Sequence, residues 1–414
     1  MKKYLRVPAG ILALTAMMTA AFSCSSKSNS RSVSSTAGDN TTASEPSTQA
    51  EVYPAEAMAI TWLSYYDKNP EGNSAPSVAL SLYADKFNGS VKYVQTTREG
   101  LIPRLEAMKA SGEEVDMFPY ELSTFPDSVM KGIAAPLDPY YEQMGMGISG
   151  LWDDMKDVTE LFAYNGQHYI VPYEAKSPLM IIYSRKLMKE NGLDDPCALY
   201  KEGRWNWDTF TEMMDKFAEN AADGRVRYGI CGSYGQALIQ SAGNVSVGYG
   251  APAANTAEVE KANKLIQSIS EKNLYRPGWR DCFPTDGSTL FMAAEDWTLG
   301  KSNAENKDMD LMAVPFPKSP DMLNYSIICD FSADMLAANS SKGGAVAAFM
   351  MCERYAATEK KFTDTKKVLA TTPETAASGT VLSFVTEEQY DAVQSYLSDR
   401  NNLLMPDLGY KTEY

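Results

Sequence analysis

Four acidic residues stand beside aromatic rings or at the ends of apolar runs. They are Glu121 after Tyr120, Glu174 after Tyr173, Asp296 before Trp297, and Asp330 between Cys329 and Phe331. Two carboxylates at the right separation can share acid–base work on a glycosidic bond, so a hydrolytic pair is one chemistry open to them. The other is recognition. Flat rings suit apolar C–H faces, and carboxylates, amides and arginine suit a rim of hydroxyls. The separation that distinguishes the two is spatial, so both readings stay open at this level.

Other catalytic equipment is sparse. The single histidine, His168, excludes a multi-histidine zinc centre, an HExxH helix and paired-histidine catalysis. Gly145-Met146-Gly147-Ile148-Ser149-Gly150 fits G-x-G-x-x-G, but the helix-like PLDPYYEQM precedes it where a dinucleotide site needs a strand. Ser128 and Lys131 have SxxK spacing without its companion motifs. Asp308 and Asp310 lack the glycine and bidentate Glu of a calcium loop. Beyond Cys24, the five cysteines Cys197, Cys231, Cys282, Cys329 and Cys352 are odd in number and form no CxxC, so buried thiols are expected. Neither a metal nor a cofactor is expected.

The 414 residues suggest two or three domains, and 44% hydrophobic residues suffice for sizeable cores. Net charge is −15, and three cations lie in residues 1–23, so the rest of the chain carries −18. A chain this acidic does not bind nucleic acid through a broad basic surface. Its 24 Tyr, 14 Phe and 6 Trp lean toward binding.

Met1–Arg6 is basic and Val7–Phe22 apolar, the order of an export signal over residues 1–23. Ala21-Phe22-Ser23-Cys24 resembles a bacterial lipobox, in which the Cys is lipidated and becomes the new N-terminus. Residues 24–52 are dominated by Ser, Thr, Ala and Asn and are expected to form a disordered linker. A lipid on Cys24 and no later apolar run of spanning length imply a chain anchored to the membrane, not crossing it.

The candidate residues need elements to position them. Strands are expected at Ala57–Leu63, Val91–Gln95, Val115–Tyr120, Tyr169–Pro172, Leu179–Tyr183 and Asp310–Val314. Helices alternate with them: Ser77–Phe87 closed by Asn88-Gly89, one around Leu101–Met108 stopped by Gly112, one opened by Asn206, and Ala345–Tyr355. This alternation predicts an α/β fold with a mostly parallel sheet and helices on its faces.

Several segments, in order, resemble the bacterial extracellular solute-binding proteins of ABC importers, the family typified by maltose-binding protein. They are Val115–Tyr120, Gly132–Tyr140 (GIAAPLDPY), Tyr164–Pro172 (YNGQHYIVP), Ile182–Pro196, Trp205–Phe210 (WNWDTF), Phe291–Trp297 (FMAAEDW) and Pro315-Phe316-Pro317. The resemblance implies a two-lobed periplasmic-binding-protein-like α/β fold with a central ligand cleft, its lobes discontinuous in sequence. Residues 53–170 plus about 315–365 would form lobe 1, and 171–314 plus about 366–414 lobe 2, with crossings at Tyr169–Tyr173 and Val314–Pro317. The family's chains run on through further helices after a segment like Leu404–Asp407, whereas this sequence ends at Tyr414, so the second lobe is expected to be trimmed or completed from elsewhere.

It further implies a monomer that captures a sugar or oligosaccharide and delivers it to ABC permease subunits, without catalysis, at the outer face of the cytoplasmic membrane. Ligands of open α/β sheets bind beyond the strand carboxyl ends. The expected ligand contacts are Trp297, matched to the family's sugar-stacking Trp, with Tyr173, Tyr65, Tyr66, Tyr120, Glu121, Asp330, Asp296 and Tyr234. The same acids would also suit a cationic solute such as a polyamine, or a peptide. Trp205 and Trp207 open a helix and are expected to pack the second lobe, and His168 to be structural.

Overall fold

The structure, a computed structural model, describes residues 54–68, 76–221, 224–243, 256–278, 283 and 287–407. The expected export segment, the linker with Cys24, and Trp279 and Cys282 lie outside these residues.

Ala59–Ser64 (β1) is the first apolar run. The helix Val78–Phe87 follows; Ser77 caps it by accepting from the Leu80 N–H, and Asn88 closes it at φ 51°, a left-handed conformation that Asn tolerates. Ser90–Gln95 (β2) pairs parallel with β1. The helix Leu101–Ser111 stops at Gly112, whose φ of 73° favours glycine. Met117–Pro119 (β3) lies parallel to β1 on its other side, and Ala134–Ala135 (β4) ends this sheet. Asp116 ties the layer together: its carboxylate accepts the Thr61 N–H at 2.7 Å and the Ser340 hydroxyl at 2.6 Å.

Ala163–Tyr164 (β5) and Gln167–His168 (β6) form a ribbon turned by Asn165-Gly166, both at positive φ, the pairing a tight hairpin prefers. His168 is structural, as expected. Its Nδ1 lies 2.8 Å from Asp138, its backbone N–H donates to the same carboxylate at 2.9 Å, and its Nε2 lies 3.3 Å from Glu160. The strand expected over Tyr169–Pro172 is irregular backbone instead. The Gly145–Gly150 segment is turns, with neither a strand before it nor a helix opening at it.

The second sheet is built on Glu174–Ser184 (β7), with Tyr228–Gly232 (β8), Thr289–Glu295 (β9), Leu311–Val314 (β10) and Ser326–Ser332 (β11). β7 alternates: Met180 and Ile182 enter one core, and Leu179, Ile181 and Tyr183 enter another. A sheet covered on both faces reads as a continuous apolar run, which LMIIY is. The helix Trp207–Glu219 packs Phe210, Met213, Met214 and Phe217 inward behind a capping box of Asn206 and Thr209. Trp205 donates its indole N–H to the Pro315 carbonyl at 2.7 Å, and Trp207 to the Ser241 hydroxyl at 3.0 Å, so both pack this half of the molecule.

Asp334–Ala337 (β12) returns to the first sheet and inserts antiparallel between β3 and β4. This return is later than the sequence suggests at Val314–Pro317. Leu311–Val314 is fully buried and pairs with β7, and β11 also stays in the second sheet, so the chain passes between sheets at Ala333. Beyond the helices Gly343–Thr358 and Lys360–Thr371, Glu374–Thr375 (β13) and Val381–Ser383 (β14) form a small ribbon. Leu403–Pro406 (β15) then joins the second sheet parallel to β11. Cys197, Cys231, Cys329 and Cys352 are buried. Among the described residues no helix is long and apolar enough to cross a membrane, and no cluster of His, Cys, Asp and Glu could hold a metal ion.

Candidate functional site

Three strands of the first sheet end side by side, and each delivers one polar side chain. Tyr65 follows β1, Arg98 follows β2, and Glu121 follows β3. The Tyr65 hydroxyl donates to the Glu121 carboxylate, and Arg98 Nη2 lies 2.9 Å from that hydroxyl and 3.4 Å from the carboxylate. The Arg98 guanidinium also lies 4.9 Å from the Tyr65 ring centroid, within cation–π range. Burial and then the Glu121 contact raise the Tyr65 pKa, so the phenol stays neutral.

Tyr66 adds a ring to this cluster. Its centroid is 5.1 Å from that of Tyr65 and 5.6 Å from that of Trp62, both edge-on, and the Trp62 indole N–H donates to the Tyr66 carbonyl at 3.1 Å. Trp62 is core, whereas Tyr66 keeps 41% of its surface exposed. Tyr120 packs edge-on against Phe162 at 5.1 Å and is half-buried; its backbone N–H donates to the Ala333 carbonyl at 3.0 Å.

The second sheet presents its own set at the end nearest the crossing. Pairing of β7 with β9 and β11 brings Glu295, Leu179, Asp330 and Lys176 to this end. Trp297, just past β9, is 53% exposed, and its indole N–H donates to Glu295. The neighbouring Asp296 is held up to a pKa of about 6, chiefly by burial, with the Trp297 backbone N–H opposing and the Glu295 charge adding.

The expected ligand contacts therefore divide. Tyr65, Tyr66, Tyr120 and Glu121 gather at the first sheet, and Trp297, Asp296 and Asp330 at the second. Tyr173 is buried at the crossing, where its backbone N–H donates to Ser332 at 2.9 Å. Tyr234 is 2% exposed and packs against Tyr275 inside the second core, so its ring is used up by packing. Arg98 was missed. It lacks an aromatic neighbour in sequence, but it follows β2 as Tyr65 follows β1, and extending the strand-end rule to every parallel strand would have found it. Lys68, Asp334 and Glu353, whose charges act on the Tyr66 phenol, were also missed; they come from three distant parts of the chain.

A model of the bacterial extracellular solute-binding proteins matches residues 80–390. No curated protein matches the sequence. Among solved structures, a cyclic alpha-maltosyl-1,6-maltose binding protein from Arthrobacter globiformis is similar at 16% identity and a TM-score of 0.56, over 84% of this chain and 88% of that one. A sugar transporter from Rhizobium etli in an open conformation is similar at 13% identity and a TM-score of 0.58, over 84% and 89%. The sugar-binding protein MalE from Xanthomonas citri is similar at 13% identity and a TM-score of 0.57, over 84% and 86%. At these identities the likeness carries the fold: the two-lobed, periplasmic-binding-protein-like α/β architecture expected from sequence.

Proposed function

The chain belongs to the bacterial extracellular solute-binding proteins, and on that footing we propose that it captures a sugar or short oligosaccharide between two lobes and hands it to an ABC permease. In this reading the lobes meet at Tyr173 and Ala333. Residues 54–172 and β12 with the helix after it form the first, and β7–β11 with β13–β15 the second. A lipid on Cys24 keeps the protein at the cell surface. Closure of the lobes on ligand is the signal, since only a ligand with different affinities for two states can shift them. No bond is made or broken.

The observation that carries this reading is the Tyr65–Arg98–Glu121 cluster at three adjacent strand ends, with the exposed Tyr66 ring beside it. It offers hydroxyl, guanidinium and carboxylate partners next to an aromatic face, which is what a pyranose needs. A cationic solute is less well served. Glu121 already faces Arg98, and Glu174 is paired with Lys366 at 2.6 Å.

Isothermal titration of the purified chain against malto-, cello- and xylo-oligosaccharides, amino acids and polyamines tests it. Saturable binding of an oligosaccharide without product over hours is expected. Silence across all sugars removes the carbohydrate reading, and product formation turns the binder into an enzyme. Loss of membrane association in Cys24→Ser tests the anchor.

A further inference from the structure

Lys68 stands four residues past the end of β1, just after the Tyr65–Tyr66 pair, yet its side chain is only 8% exposed. Its ammonium lies 3.1 Å from Asp334 and 3.1 Å from Glu353. Three rings line the same space, with centroids at 4.4 Å (Trp62), 5.3 Å (Phe349) and 5.8 Å (Tyr173). Burial alone would lower the Lys68 pKa; the charges of Asp334 and then Glu353 outweigh it and hold the amine well above its usual value.

The two acids come from the parts of the molecule that join the sheets. Asp334 opens β12 immediately after the crossing at Ala333, and its side chain is 0% exposed. Glu353 lies on the helix Gly343–Thr358, next to Arg354. Arg354 is itself buried and donates to the Tyr173 carbonyl at 2.9 Å and the Leu151 carbonyl at 2.6 Å, with Asp154 as its carboxylate. One helix therefore grips both crossings, the first through Arg354 directly and the second through Lys68.

Burying charges here costs desolvation that a methionine of similar length would avoid. What the ammonium adds is a fixed geometry between three elements. We propose that Lys68 is a positioning residue that fastens the Tyr65–Tyr66 segment to the second crossing, so that the aromatic site and the hinge shift as one body. This rests on reading Tyr65 and Tyr66 as ligand-facing.

Hydrogen exchange on the ligand-free full chain tests it without any sugar. In Lys68→Met, the amides of residues 65–68 and 334–337 should lose protection together, by about tenfold or more, while β8 and β9 keep theirs. The double variant Lys68→Met/Asp334→Asn removes the stranded charge. Its melting temperature should return toward that of the parent while residues 65–68 stay unprotected. Unchanged exchange in both segments overturns the proposal. So does a double variant that recovers protection along with melting temperature, since Lys68 would then only neutralise Asp334. Titration with maltotetraose, where the parent binds it, should show about tenfold weaker affinity in both variants, and parent affinity in both also overturns it. A parent that binds no oligosaccharide sinks the sugar reading and leaves the exchange result standing.

Discussion

The backbone N–H of Tyr173 donates to the carbonyl of Ser332 at 2.9 Å, so the two segments that join the sheets are bonded to each other. The next residue, Ala333, accepts the backbone N–H of Tyr120 at 3.0 Å. A candidate site residue thus hangs directly on one crossing, and Arg354 holds the other at the Tyr173 carbonyl. In the proposed closure, bending at the crossings would reach the strand ends through these short, directional contacts.

Trp297 should matter for ligand and little for stability. It is exposed, so Trp297→Ala removes a stacking face while leaving core packing intact. Oligosaccharide affinity should fall by about 1–2 kcal/mol, with unfolding free energy changed by about 0.5 kcal/mol or less. Titration calorimetry and urea unfolding on the same protein check both.

Tyr65 and Glu121 should act as a unit. Tyr65→Phe and Glu121→Gln each break the shared hydrogen bond, so the double variant should lose less affinity than the two singles combined, by about 0.5–1.5 kcal/mol. Arg98→Ala should change stability by less than about 1 kcal/mol, because its guanidinium is largely solvated. A strictly additive cycle, read by titration, would separate the pair.

Asp296 sets a sign for pH. Its carboxyl titrates near 6 in the folded chain, against the ordinary 3.8. The folded state holds this proton more tightly than the unfolded state, so its contribution to stability declines as pH rises from about 4 to about 6. Asp296→Asn removes that decline and should stabilise the chain at pH 7 by about 1–2 kcal/mol. Asp334 also titrates near 6, so the effect is read as the difference between parent and variant in urea midpoints at pH 4.5 and 7.

Trp205 should be costly to truncate. It is fully buried, lies edge-on to Phe210 and Phe291, and its indole bonds the Pro315 carbonyl. Trp205→Ala opens a cavity and orphans a carbonyl, which should cost about 3–5 kcal/mol. Thermal unfolding checks it, and a loss below about 1 kcal/mol would mean the site collapses around the gap.

Local signals carried much of the fold. Ser77 and Asn88 bracket a helix, and Asn206 opens another, because each acts within a few residues. The second crossing was not legible: Leu311–Val314 is apolar enough for either sheet, and pairing with β7 decides. Tyr65, Tyr66, Tyr120 and Glu121 came together because strand ends share an edge. Arg98 and Lys68 escaped because their partners are set by register and by distant segments, and Tyr234 was claimed by the core because its strand end turns inward.

The connectivity also dictates an order of assembly. β12 sits inside the first sheet but is made after residue 333, and β15 completes the second sheet only at residues 403–406. Neither layer has all its strands until that part of the chain is made, since each awaits a strand from the last third of the sequence. For a member of an extracellular family, that delay leaves both layers a strand short until those residues have been made.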